Sequence, residues 1–330
     1  LASLLAGFPN SFSLRATEPL DRYTYYLSGY VQDDWKIRRD LTLNLGLRYD
    51  LHPGWVERDG RLAFFDVTSG AIVIADDGSN KVSLLMPSSY VGIVTASSQG
   101  LPSNTLVRTD RNNFAPRLGV AWRPFNDVRT VLRAGYGLYY DLLPIELQAA
   151  RAPFVFSETA FTNPPAPSLV LPTVFPAAGT AGPSSIALPL AVNPNVTLPY
   201  SHQFSVTVEH ERWNTGFRAS YVGTLGRDMW YTRDVNSPVA DERLYNEKPR
   251  PFPQYPSITY ADNGAGHDYH GVTIEAERRF SAGLFFQAAY TAAKDTTETV
   301  EWTNAIENPF DLARERGRDT ATPLHRLTTA

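Results

Sequence analysis

The sequence has no cysteine. That excludes a disulfide framework, a thiol nucleophile and a thiolate-held metal, although it leaves the compartment open, since many exported proteins have none. It also has no run of about 18 apolar residues, so no transmembrane helix is encoded. Net charge is small, −4 over 330 residues, and nothing in that balance draws the chain to nucleic acid or to an anionic surface. Leu1 to Phe8 is apolar but short and has no basic leader, so it does not read as a signal peptide. The chain reads instead as a piece of a longer precursor, and Leu324 to Ala330 as a strand that has just begun where the sequence stops. What is plentiful is aromatic side chains (12%, with 17 Tyr and 6 Trp) and the turn formers Pro (25) and Gly (22).

Within the stretch Tyr23 to Leu51, the second half, Leu41 to Leu51, alternates almost without a break. Leu41, Leu43, Leu45, Leu47, Tyr49 and Leu51 fall on one face; Thr42, Asn44, Gly46, Arg48 and Asp50 fall on the other. Side chains of a strand point to opposite faces with period two, so this is a strand with one greasy side. Tyr23, Tyr25, Leu27, Gly29 and Val31 repeat the pattern before a short polar turn around Lys36 to Asp40, which predicts a hairpin. Both strands exceed the usual 5–6 residues of soluble proteins and suit the roughly 9–11 tilted residues that cross a bilayer.

The same unit recurs. Strand pairs are expected near residues 22–51, 113–140, 202–225 and 269–294, each closed by a short turn. Long loops follow at 52–112, 141–199, 226–268 and 295–323. Loop 52–112 holds strand-like pieces at Leu62 to Val67 and Ala71 to Ala75, and Asp76 to Asn80 reads as a hairpin turn. Loop 141–199 contains Pro164-Pro165-Ala166-Pro167, which cannot join a helix or a central strand. Loops beyond about 12–15 residues are uncommon inside compact soluble domains. Short turns at one end and long loops at the other are what a barrel in an outer membrane shows. The predicted fold class is all-β: part of one antiparallel up-and-down transmembrane β-barrel, with about eight long strands, short periplasmic turns and long extracellular loops.

Charge and aromatic placement favour lipid over a soluble core. Arg48, Asp50, Arg117, Arg133, Glu209, Arg218, Glu275 and Glu277 all lie on the polar face and are read as lumen-facing ligand contacts. An Arg or Lys on the lipid face at mid-bilayer costs roughly 2–4 kcal/mol. His210 and Arg278 are expected exceptions beside the short turns, where the cost fades. Trp35, Trp122 and Trp213 sit near the short-turn ends, and Tyr49 and Tyr140 on the apolar face at the long-loop ends, giving two interfacial aromatic belts.

Several segments resemble the barrel of TonB-dependent outer-membrane receptors, in the Oar-like branch with an N-terminal carboxypeptidase-regulatory-like domain. They are YVQDDWKIRRDLTLNLGLRYD (30–50), RNNFAPRLGVAWRPF (111–125), TVLRAGYGLYYD (130–141), LPYSHQFSVTVEHE (198–211), ASYVGTLGRDMW (219–230), YHGVTIEAERRFSAGLFFQAAYTAAKD (269–295) and the terminal HRLTT. They follow the family's order and cover most strands; the loops match poorly. The resemblance implies a barrel of about 22 strands with a plugged lumen, energised by the TonB complex through an N-terminal region. That region and the plug domain lie outside these 330 residues. It further implies contact with outer-membrane lipid and uptake of a scarce or large small-molecule, glycan or peptide nutrient. Two sheet edges are left without partners, and a curved open sheet or a strained partial closure is expected for this piece.

Chemistry-bearing constellations are few. His267-Asp268-Tyr269-His270 lacks the three or four converging ligands of a metal site and reads as a solvated loop. Gly264-Ala265-Gly266 and Gly135-Tyr136-Gly137 lack the strand-to-helix setting of a phosphate loop. Ser201 and His202 point to opposite faces and make no dyad. No serine sits in a nucleophile elbow, and Glu275 with Glu277 reads as a wet wall rather than a glycosidase pair. No catalytic residue, metal or cofactor is assigned. The alternatives are an outer-membrane barrel enzyme such as a lipase, or a secreted soluble β-rich binding or adhesion module.

Overall fold

The computed structural model describes residues 2–8, 11–15, 20–82, 91–125, 128–145, 153–154, 157–162, 188–281, 283–299 and 306–330. The Pro164 to Pro167 segment lies outside the described residues. Nine strands form one curved antiparallel meander: β1 (Leu27–Arg38), β2 (Leu41–Leu51), β3 (Phe114–Trp122), β4 (Thr130–Tyr140), β5 (Tyr200–Arg212), β6 (Thr215–Asp234), β7 (Thr259–Ser281), β8 (Leu284–Thr297) and β9 (His325–Thr329). Each pairs with the next in the chain. The sheet stays open, with β1 exposed along its whole length at one edge.

Register fixes the faces. Leu43, Val120, Ala134, Val206, Tyr221, Val272 and Ala292 stand on one continuous rung of the outer face. Asn44, Gly119, Gly135, Ser205, Val222 and Gly271 form the corresponding inner rung. Among the described residues nothing packs behind the outer face, and Val31, Leu47, Leu118, Val208 and Ile274 are all exposed. Exposed apolar surface on this scale belongs against lipid.

The hydrophobic core lies in the loops. Ala63–Asp66, Ala71–Ile74 and Ile93–Thr95 make a small three-stranded sheet within 52–112. Leu62, Phe64, Val73, Leu106, Val196 and Leu198 pack with Trp230 and Ala261 at the tops of β6 and β7. A second cluster joins Phe65, Ile72 and Ile74 to Phe154, Tyr255 and Ile258. A wall one sheet thick offers little to bury against, so the loop segments bury these side chains in one another and against the tops of β6 and β7.

Several expectations change: the first wall strand begins at Leu27, since Tyr23 pairs with Val56 in a separate short sheet, and 267–270, read as a solvated loop, lies within β7. Asp76–Lys81 is a 3-10 helix rather than a hairpin turn, with Gly78 N–H donating to the Ala75 carbonyl. β6 and β7 run for 20 and 23 residues, so their hairpin climbs well into the span read as loop 226–268. The loop layer packs against those upper halves, and the register carries through two irregularities between Gly226 and Trp230. Lastly, the outer face carries more polar groups than His210 and Arg278. Asp33 stands opposite Leu45, and His202, Asp268, His270, Lys294 and His325 occupy outer-face positions near the loop ends.

Candidate functional site: the inner face of the wall

The inner face has three levels. Near the short turns a charged row crosses four strands. Arg133 on β4 is 3.7 Å from Glu209 on β5, Glu209 is 3.2 Å from Arg218 on β6, and Arg218 is 3.0 Å from Glu275 on β7. Antiparallel register makes the row, since Glu209 lies directly opposite both Val131 and Arg218, and Arg218 opposite Glu275. The arginines are about half exposed, so each pair contributes only about 0.2–1 kcal/mol. Glu277 faces the same side one repeat lower, opposite Gly216 and Gln287, and stands outside the row.

Above the row lies a trough of about 580 Å³. Its floor is Gly46, Gly119, Gly135 and Gly137, and its walls include Gln32, Asn44, Arg117, Tyr139, Gln203 and Thr224. Glycines leave the backbone bare, so polar groups of the sheet and its flanking amides line the concavity. The Arg117 guanidinium lies 4.8 Å from the centre of the Tyr139 ring, a cation–π contact. Tyr139 in turn covers Gly137, where a Cβ would stand 2.7 Å from the ring. The inner face is therefore partly roofed by aromatics and is less uniformly wet than its glycines and charges suggest.

At the loop end, the Arg48 Nε donates to Asp50 Oδ1 at 2.8 Å, and Tyr26 bonds both side chains. Asp50 is buried and its backbone is fixed by Asn113, whose N–H groups and carbonyl serve the Asp50 carbonyl and amide. Trp35 and Trp122 face outward at the short-turn end, and Trp213 is itself in the β5–β6 turn, where Arg212 stacks on it at 4.2 Å. Tyr49 packs on Phe114 and donates to the Arg111 carbonyl at 3.0 Å, while Tyr140 packs on Tyr200.

The tetrapeptide 267–270 is split by the sheet. His267 faces inward, with Nε2 2.7 Å from Asp295 Oδ1, while His270 faces outward to Tyr221. Among the described residues no group of three or more His, Cys, Asp or Glu converges on a metal position. Asp295 and Tyr139 were not singled out by the sequence, and only cross-strand register brings them into place.

An open meander with an unpacked apolar exterior, a polar concave interior and loops massed at one end defines a wall segment of an outer-membrane β-barrel. The chain belongs to the outer membrane beta barrel domain family, whose description matches residues 1–330. It is therefore a protein of the bacterial outer membrane. No curated protein matches the sequence. Among solved structures, it is similar to the FrpB iron transporter from Neisseria meningitidis (F3-3 variant), with 12% identity and a TM-score of 0.41, covering 84% of this chain and 27% of that one. The outer membrane transporter YddB from Escherichia coli gives 14% identity and a TM-score of 0.44, covering 84% and 25%. The alcaligin outer membrane receptor FauA from Bordetella pertussis gives 10% and 0.38, covering 87% and 32%. The chain thus spans between a quarter and a third of the length of these structures.

Proposed function

We propose that this chain is part of the barrel of a TonB-dependent outer-membrane transporter, in the Oar-like branch, that takes up a scarce or large polar nutrient. The carrying observation is the inner trough between the Arg133–Glu209–Arg218–Glu275 row and the Arg48–Asp50–Tyr26 cluster. It offers donors and acceptors of both signs along a continuous wall, which suits passage of a polar solute past many weak contacts. The ordered segments that resemble the TonB-dependent family support the same reading, as does membership of the outer membrane barrel family. Under it, a plug domain outside these residues closes the lumen, the TonB complex supplies the energy, and the wall performs no covalent chemistry.

Two experiments bear on this reading. Washing membranes of cells that express the protein with alkaline carbonate tests whether it is integral: release without detergent defeats this reading and the barrel-enzyme alternative together. The second reads the coding sequence ahead of Leu1. A plug domain and a TonB-contacting segment are expected there, and an open frame without them overturns the transport assignment.

A further inference from the structure

Three tyrosine–histidine pairs repeat on the outer face, at three of the four long-loop junctions: Tyr136 with His202, Tyr221 with His270, and Tyr290 with His325. In each, the phenol oxygen and Nδ1 stand 2.8 Å apart. The two rings of each pair are near parallel, with interplanar angles of 29°, 11° and 13°. Each pair is diagonal, with the histidine one strand repeat nearer the loops than the residue directly opposite the tyrosine. A hydroxyl facing hydrocarbon needs an acceptor. Donation by the tyrosine to Nδ1 leaves the imidazole proton on Nε2, turned away from the ring that holds it.

Two of these histidines share the outer face with a lysine. Lys294 lies directly opposite His270, and Ala292, next on the same face of β8, lies opposite His325. His270, Lys294 and His325 therefore form one patch across β7, β8 and β9. It stands where the apolar face ends, just above exposed Val272, Ile274 and Leu327. Nearby carboxylates are already engaged: Asp268 by Arg227 and Arg316, Asp295 by His267, and Glu298 by Arg316.

We infer that His270, Lys294 and His325 form a seat for the anionic phosphate headgroup of an outer-leaflet lipid. Lys294 supplies the charge. The two imidazoles supply N–H donors whose orientation Tyr221 and Tyr290 fix, and the apolar wall below takes the acyl chains. The charge is complementary, and the level is the one at which headgroups meet a lipid-facing strand.

The test uses the full-length protein, extracted in detergent and examined by native mass spectrometry with dioleoyl phosphatidic acid or dioleoyl phosphatidylcholine added. Wild type should retain the phosphatidic acid preferentially. Lys294→Gln should lower that preference about fivefold, the worth of one interfacial cation; Lys294→Arg should keep it, and Lys81→Gln in the loop layer should not alter it. Heat-dependent migration on gels confirms that each variant is a folded barrel; should Lys294→Gln fail that check, His325→Gln replaces it, with the same direction expected. The seat is refuted if wild type does not discriminate, if the folded glutamine variant keeps full preference, or if excess inorganic phosphate strips the lipid, which would indicate a site for a soluble anion.

Discussion

Phe204 lies flat over Gly223, so closely that a Cβ at that glycine would stand 2.3 Å from the ring. The ring fills the space a side chain would occupy, an arrangement in which an aromatic neighbour shields a strand glycine. Gly223→Val should therefore displace Phe204 and its contact with Tyr221, costing about 1–3 kcal/mol. Urea unfolding of the refolded protein in detergent, followed by loss of its heat-dependent gel migration, measures that cost. Gly29, with nothing within 4 Å of its Cβ position, is the comparison, and Gly29→Val should change the midpoint little. The turn between β5 and β6 shows a different residue-level demand. Trp213 and Asn214 have φ of 52° and 56°, the two left-handed residues that a tight two-residue hairpin requires. Asparagine accepts this readily, and tryptophan accepts it at a site where its ring reaches the interface and Arg212 stacks on it.

On a strand, parity decides what a charge costs. Ile274 is outward and 59% exposed, while Ala289 on the neighbouring strand is inward and opposite Glu275. Ile274→Arg should destabilise the barrel by about 2–4 kcal/mol, and Ala289→Arg by close to nothing. Folding yields into lipid vesicles compare the two, and equal penalties would contradict the assignment of faces. The charged row belongs to the same scale. A double-mutant cycle on Arg218 and Glu275 should give a coupling of about 0.2–1 kcal/mol. The coupling should shrink towards zero in about 1 M salt, where the screening length falls to roughly 3 Å. A larger, salt-insensitive coupling would mean that the row is more deeply desolvated than its exposed arginines indicate.

Taken whole, the molecule is a lipid-facing wall with a separately packed layer on its loop end. One anchor of that layer is Glu57, whose fully buried carboxylate accepts from the amides of Asp21, Asp59 and Arg61 and from the Arg61 guanidinium at 2.8–3.2 Å. Burial alone would raise its pKa, but these donors outweigh burial and hold it below the ordinary range. A depressed folded pKa gives stability that is present above the unfolded value of about 4.3 and is lost as pH falls through the lower folded value. Protease cleavage within 52–112 should accordingly be slow at pH 7 and accelerate below about pH 4.3. Glu57→Gln should speed cleavage at pH 7, at a cost of about 1–3 kcal/mol for donors left unserved, and should flatten the acid dependence. Unchanged cleavage in the variant would remove Glu57 as an anchor.

The sequence by itself determined the period of each strand, the face that meets lipid and the alternation of short turns with long loops. These are local properties: a greasy row such as Leu41 to Leu51 needs no partner to be recognised. It also marked the inner charges, from Arg48 to Glu277, as one class. Tertiary structure alone decided which of them meet. Arg133 and Glu209 are joined by register across a long loop, as are Tyr221 and His270, and no spacing in the chain encodes those contacts. The upper halves of β6 and β7 read as loop because the alternation breaks off in both there. Loop clusters cover both faces there, with Trp230 and Ala261 in one and Ile258 and Tyr260 in the other, so the strict polar–apolar alternation that lipid imposes is no longer required.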